Sequence, residues 1–526
     1  MMKFRLLLLF LLPISVITAQ RSDPGLNNIQ IAWQLITNFY VDNVDREDLA
    51  REAIEAMLRK LDPHSVLIPA DEVKAMNEPL DGNFEGVGIE FTILNDTLTV
   101  VSTVVGGPSE KVGIRAGDRI VAINNENVAA VGLRNSDVFT MLRGKKGTQV
   151  NVSVIRHGKD NQMEFIVTRD RIPIHSIEAA YLASPETGYI KISRFAATTH
   201  DEFVTALKGL KRQGIKNLVL DLRGNGGGYL KAALDIADEF LGNGQLMLYT
   251  QGASMPRRDH LAGRGGLWQK GGLVIMLDEF SASASEIVAG AVQDWDRGVV
   301  IGRRSFGKGL VQRPFSLPDG SEIRLTIANY YTPSGRSIQK PYSNGLSEYR
   351  AETTLRFMNG ELTNRDSIHM EDLKYYETLK SKRPVYGGGG IIPDVFIPLD
   401  TTMYSNYYRE LVASGVMNRV AMHFMDRNRS QIQELFSDFS AFQKGYMVDE
   451  QLISALVSDG EKAGIKYSEA DMQVSGRLIQ TQLKALIARD LWSTSEYYQV
   501  INPLLTVYSK AIELIENRDL FSEILN

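Results

Sequence analysis

Cysteine is absent from all 526 residues. This excludes a thiol nucleophile, a disulfide framework and thiolate-held zinc or iron–sulfur centres. It leaves an oxidising compartment open, because a long chain can build cores that need no cross-links. Histidine is scarce, and none of the seven lies between His260 and His369. Neither sign of charge is in excess: 58 basic and 63 acidic side chains leave −5, which gives no reason to expect nucleic acid as a partner. Beyond the N-terminus no stretch is long and apolar enough to cross a bilayer.

What is present reads as a soluble, multidomain chain. Apolar content of 44% and charged content of 23% are ordinary for globular proteins, and the length predicts three or four domains. Residues 1–20 have the form of an export signal. Lys3 and Arg5 precede the apolar run Leu6 to Leu12, and small residues lead to Ala19. Pro13 ends that run well short of the roughly 20 residues a spanning helix needs. The expectation is an exported, periplasmic protein of bacterial type. An uncleaved signal holding it at the membrane is the alternative.

Four textures follow. Over 21–80 apolar residues recur at helical spacing, as in Ile31, Leu35, Ile36 and Phe39, and Asp62-Pro63 stops the second helix. Over 81–169 short β-branched strands are punctuated by glycine. A helix is expected at Asn135 to Leu142 with Ser136 as its cap. Over 170–400 strands alternate with helices, the pattern of a layered α/β core. Over 401–526 the chain is polar and helical, with no glycine loop or chemical motif.

In the second region, Gly86-Val87-Gly88-Ile89 opens the first long strand. Glycines there let successive N–H groups converge on one anion, and a strand edge beside such a loop can take up a peptide tail. With Gly106-Gly107-Pro108-Ser109 and Ala116-Gly117-Asp118-Arg119-Ile120, this region resembles a PDZ domain of the kind attached to bacterial proteases. Val87, Gly88 and Ile89 are its candidate peptide-binding residues. Arg143 is a candidate for coupling the module to the core.

The third region carries the chemistry. Ser281-Ala282-Ser283-Ala284-Ser285-Glu286 lies between an apolar strand and a helix, where a serine is exposed beside backbone N–H groups. Spacing alone does not choose among the three serines. Lys308, among glycines and apolar residues, is a candidate base because a desolvated lysine loses its proton readily. Gln312 is placed to orient its amine. Gly302 to Gly309 also approaches a phosphate-binding loop, but Gly309 stands where a magnesium-binding Ser or Thr belongs. The loop Asp221 to Gly228 has the wrong glycine spacing for a dinucleotide and suits an oxyanion-binding turn better.

These segments, with Asp62-Pro63-His64-Ser65, Tyr331-Thr332-Pro333-Ser334-Gly335-Arg336 and Gly390-Ile391-Ile392-Pro393-Asp394, resemble the C-terminal processing peptidases, or tail-specific proteases. The resemblance runs from about residue 30 to 398. It implies an α/β multidomain chain: a helical N-terminal segment, a PDZ-like β-rich domain, an α/β protease core of the ClpP/crotonase-like kind and a helical C-terminal extension. It also implies that Ser283 is the nucleophile, Lys308 the base and Gln312 its support, with oxyanion donors from Ala284 and from Gly226 or Gly227. Asp294 is implied as structural support, and Ser281 and Ser285 as loop and capping residues. The expected partners are protein or peptide substrates with accessible C-terminal tails, with no cofactor, metal or nucleic acid. A homo-oligomer or regulatory adaptor is left open. The competing readings are a catalytically silent scaffold that holds tails and a hydrolase of small esters or amides.

Overall fold

The computed structural model describes residues 23–526 except 95, 105, 157, 158, 160 and 344. The expected export signal lies outside the described residues. Residues up to Leu61 form a unit of their own. Its helices are Pro24–Phe39 and Arg46–Leu61, and the Asp23 carboxylate caps the first by accepting from the Gly25 and Leu26 N–H groups. Leu26, Ile29, Leu35 and Phe39 are exposed on this helix.

The second unit holds everything that follows. Its centre is a six-stranded sheet in the order Ile177–Leu182, Thr187–Ile192, Asn217–Asp221, Gly272–Leu277, Val299–Gly302 and Val395–Phe396. Only the first pair is antiparallel. Its central strands are continuously apolar because both faces are covered. Leu218, Leu220, Leu273 and Ile275 face one core with helices Thr199–Arg212, Leu230–Asp238 and Ala284–Asp294. Val219, Val274 and Met276 face the other, which is closed by Val507, Ala511 and Leu514 of helix Thr506–Glu516. Each such fully buried side chain contributes on the order of 1.5–3 kcal/mol. The C-terminal region is thus helical, as expected, but part of it completes the α/β core.

A second sheet joins Val66–Ile68, Glu322–Tyr331, Leu246–Gly252 and Met255–Leu261, with Leu310–Ser316 also paired to Glu322–Tyr331. The apolar spacing over 21–80 reads as helical, yet Val66–Ile68 within it is a strand. It is short, and its partner lies far downstream.

The β-rich module is a sheet in the order Ile89–Leu94, Thr97–Thr103, Arg119–Ile123, Gln149–Ile155 and Met163–Thr168, with helices Pro108–Val112 and Asn135–Leu142. Its core holds Leu98, Val100, Ile120, Val152 and Val167. Asn83–Gly86 pairs with Asp170–Pro173 where the chain enters and leaves. Ser136 is not the cap of the second helix. Arg134 holds that position, its N–H donating to the Asp137 carboxylate three residues on. A carboxylate at the third helical position reaches back to the cap N–H, whereas Ser136 is already inside the first turn. The rest of the C-terminal region is a helical domain around Leu411, Met425, Leu456, Leu483 and Ile487.

Candidate active site

Strand Gly272–Leu277 ends at a tight loop, and helix Ala284–Asp294 begins at once. Ser283 stands between them with φ 52° and ψ −108°. That backbone is costly for a residue with a Cβ, and such strain persists only where the surroundings impose it. The surroundings are hydrogen bonds. The Ser281 hydroxyl donates to Leu222 O at 2.9 Å, the Ala282 N–H to Asn225 O at 2.9 Å and the Ser285 hydroxyl to the same oxygen at 2.9 Å. Ser285 therefore ties the helix to the glycine loop and does not cap it.

The glycine loop is fixed from its other side. Asp221 accepts from Arg223 Nη2 at 2.6 Å and from Tyr189 Oη at 2.6 Å. Burial opposes its charge, but Arg223 and Lys191 hold the carboxyl below the usual range. A Cβ on Gly227, which sits at φ +104°, would lie only 2.9 Å from that of Ser283. Its N–H donates to Asn225 Oδ1 at 2.9 Å and is already committed. Gly228 approaches even more closely: a Cβ there would sit 2.1 Å from Phe195 O. Gly228→Ala is accordingly expected to destabilise the protein by about 3 kcal/mol, read from urea unfolding.

Ser283, Ala284, Lys308, Gln312, Gly226 and Gly228 line one cavity of about 450 Å³. Lys308 Nζ donates to Gln312 Oε1 at 2.8 Å, and Gln312 Nε2 in turn donates to His64 O. The amide is thereby oriented with its oxygen toward the amine. Desolvation pulls the Lys308 pKa below its ordinary 10.5, against Asp62 and Glu286, which favour the charged form. Ala284 is the first helical residue, so its N–H has no partner within the helix. No histidine among the described residues lines this cavity. His64 directs Nε2 to Tyr349 Oη at 2.7 Å, and burial, together with Lys308, pushes it down to about 4.

Two residues of the site carry no assigned role in the sequence. The Glu286 carboxylate, fully buried, accepts from Ser283 N at 2.7 Å, Ser305 Oγ at 2.5 Å, Gly307 N at 2.7 Å and Lys308 N at 2.9 Å. Burial pushes it up to about 7, and these four donors limit the rise. The Tyr330 hydroxyl reaches both Ser283 O at 3.1 Å and Lys308 O at 2.8 Å. Glu286 was legible only as part of the serine motif, and Tyr330 left no local signal.

The remaining candidates fall elsewhere. Asp294 is entirely buried, with Arg336 Nη2 at 2.7 Å and the Ser334 N–H at 2.9 Å. Arg143 Nη1 meets Glu78 Oε2 at 2.7 Å, on helix Ala70–Asp81, whose Asn77, Leu80 and Asp81 line the cavity that holds Ser283 and Lys308. Val87 is buried in the module's core, Gly88 takes φ +74° and Ile89 opens the edge strand. The phosphate-loop alternative fails on topology: Gly309 is followed by strand Leu310–Ser316, with no helix N-terminus for a phosphate.

Residues 186–346 match peptidase family S41, 99–156 a PDZ domain and 15–71 the N-terminal domain of the activating protease CtpB. Residues 407–493 match a family of unknown function. Together these define a serine peptidase with a PDZ module. The carboxy-terminal processing protease CtpB of Bacillus subtilis is 36% identical over 60% of this chain and 66% of its own length. The carboxy-terminal-processing protease of Bartonella bacilliformis is 36% identical over 58% of this chain and 71% of its own. A solved structure of a photosystem II D1 C-terminal processing protease is 29% identical, covering 60% of this chain and 90% of that one, with a TM-score of 0.34. The chain belongs to the carboxy-terminal processing protease family.

Proposed function

We propose that this protein is an exported endopeptidase that cuts protein substrates at or near their C-termini through Ser283 and Lys308. The observation that carries the reading is the shared cavity, in which a desolvated lysine held by Gln312 lies with a strained serine. Neutral Lys308 takes the proton of Ser283 Oγ as that oxygen attacks the scissile carbonyl. The oxyanion is received by the Ala284 N–H and by Gly226 or Gly228, because the Gly227 N–H is committed to Asn225. Protonated Lys308 releases the leaving amine, and water then hydrolyses the acyl-enzyme with lysine again as base. This chemistry requires no metal or nucleotide.

The PDZ module presents the tail, with its carboxylate at Val87, Gly88 and Ile89 and its backbone along Ile89–Leu94. Export to the periplasm rests on the sequence of residues 1–20. An unstructured protein with an apolar C-terminal tail tests the function. Its products, followed by mass spectrometry, should show cleavage near the terminus, insensitive to chelator and slowed when the tail is amidated. Tail binding without cleavage would replace the protease reading by the silent scaffold.

A further inference from the structure

The PDZ strand Ile89–Leu94 pairs only with Thr97–Thr103 and ends the module's sheet, so its outer edge has no strand partner among the described residues. Alternate side chains split between two environments. Ile89, Phe91 and Ile93 pack against the PDZ core, while Glu90 turns to the other face and accepts from Ser102 Oγ at 3.0 Å. That second face is not open surface. Beside it lies a cavity of about 510 Å³ lined by Glu90 to Leu94 of this strand and by Val101, Ser102 and Thr103 of its neighbour. The opposite wall belongs to helices Val416–Leu435 and Glu469–Leu491 of the C-terminal domain.

The chemistry of that wall is selective. Met422 and Trp492 offer adaptable apolar contact, backed by the buried Met425. Two of its charges are already neutralised: Arg419 Nε meets Asp459 Oδ2 at 2.6 Å, and Asp490 Oδ1 meets Arg429 Nη2 at 2.5 Å. Arg489 also lines the cavity, is half-buried and has no ion pair among the described residues. A half-buried cation with no ion-pair partner favours an anionic visitor.

We propose that the C-terminal helical domain is a second wall of the tail-binding groove, and that Arg489 selects tails with an acidic side chain near the end. The inference rests on the reading of the PDZ module as a tail binder. A tail added to the edge of Ile89–Leu94 alternates like any strand. If its last and third-last residues face the PDZ core, its second and fourth from the end face the cavity. The cavity begins at Glu90, directly beyond the Val87–Gly88–Ile89 loop, so it meets those positions.

The test uses the full chain carrying Ser283→Ala to prevent turnover. Fluorescent ten-residue peptides with an apolar C-terminus carry Asp, Asn or Lys at the second and fourth positions from the end, and binding is followed by polarisation. The Asp tail is expected to bind about tenfold more tightly than the Asn tail. Arg489→Glu should reverse the order in favour of Lys, a gain that a misfolded variant cannot produce. Equal affinity for Asp and Asn tails, or a preference unmoved by Arg489→Glu, overturns the second wall and leaves the PDZ reading intact. Failure of every tail to bind, or indifference to C-terminal amidation, overturns the PDZ reading and the wall with it.

Discussion

Lys308→Ala is expected to lower kcat/KM for a protein substrate by about 10⁴-fold while leaving KM and the melting temperature nearly unchanged. The side chain is a desolvated amine with one neutral partner, Gln312, so its removal costs packing and a single hydrogen bond but takes away the proposed base. Ser283→Ala should be at least as severe, and the double variant little worse than either single one, because the two act as a unit. Lys308→Arg should not rescue, since a guanidinium stays protonated. The pH profile separates this base from a histidine. On the proposed mechanism the rate depends on neutral lysine, so it should rise with pH to a midpoint below 10.5, the shift being downward. A profile governed by a group near 6.5, or cleavage that survives Lys308→Ala, would sink the assignment.

Glu286→Gln is expected to damage both stability and rate. Each carboxylate oxygen accepts two donors: Oε1 takes Ser305 Oγ and Gly307 N, and Oε2 takes Ser283 N and Lys308 N. An amide must turn its NH₂ toward one of these pairs, leaving buried donors unmatched at roughly 1–3 kcal/mol each, about 3–5 kcal/mol in total. Because the carboxylate joins the backbone of the serine to that of the lysine, the loss should fall on kcat more than on KM. Its pH signature has a definite sign. The carboxyl is raised from 4.5 to about 7 on folding. Its contribution to stability is thus fully present below 4.5 and is lost as pH rises through about 7. Urea unfolding of Glu286→Gln across that window should show a flatter dependence than the native chain. Wild-type stability in the variant would mean that this carboxylate holds nothing together.

The sequence revealed the α/β core well because its central strands, such as Leu218-Val219-Leu220, are buried on both faces and read as unbroken apolar runs. The module at 81–169 was legible from its glycines, several of which adopt positive φ, Gly88 and Gly117 among them. Ser283 and Lys308 stood out only as types: three serines competed, and the resemblance chose among them. What stayed hidden depends on distant pairing. Val66–Ile68 is too short to show alternation, and it is a strand because Glu322–Tyr331 lies beside it. The carbonyl of His64 that orients Gln312 leaves no trace in side-chain identity, since any residue supplies one. Helix Thr506–Glu516 has an ordinary amphipathic pattern, and nothing in it names the sheet it covers.

That helix has a bearing on how the enzyme comes into being. The strands at Asn217–Asp221 and Gly272–Leu277 emerge early in synthesis, whereas Val507, Ala511 and Leu514, which seal their second face, emerge far later. Long-range closure of this kind is slow and leaves apolar surface bare in the interval. A nascent chain therefore carries Ser283 and Lys308 before the sheet that positions them has both faces covered.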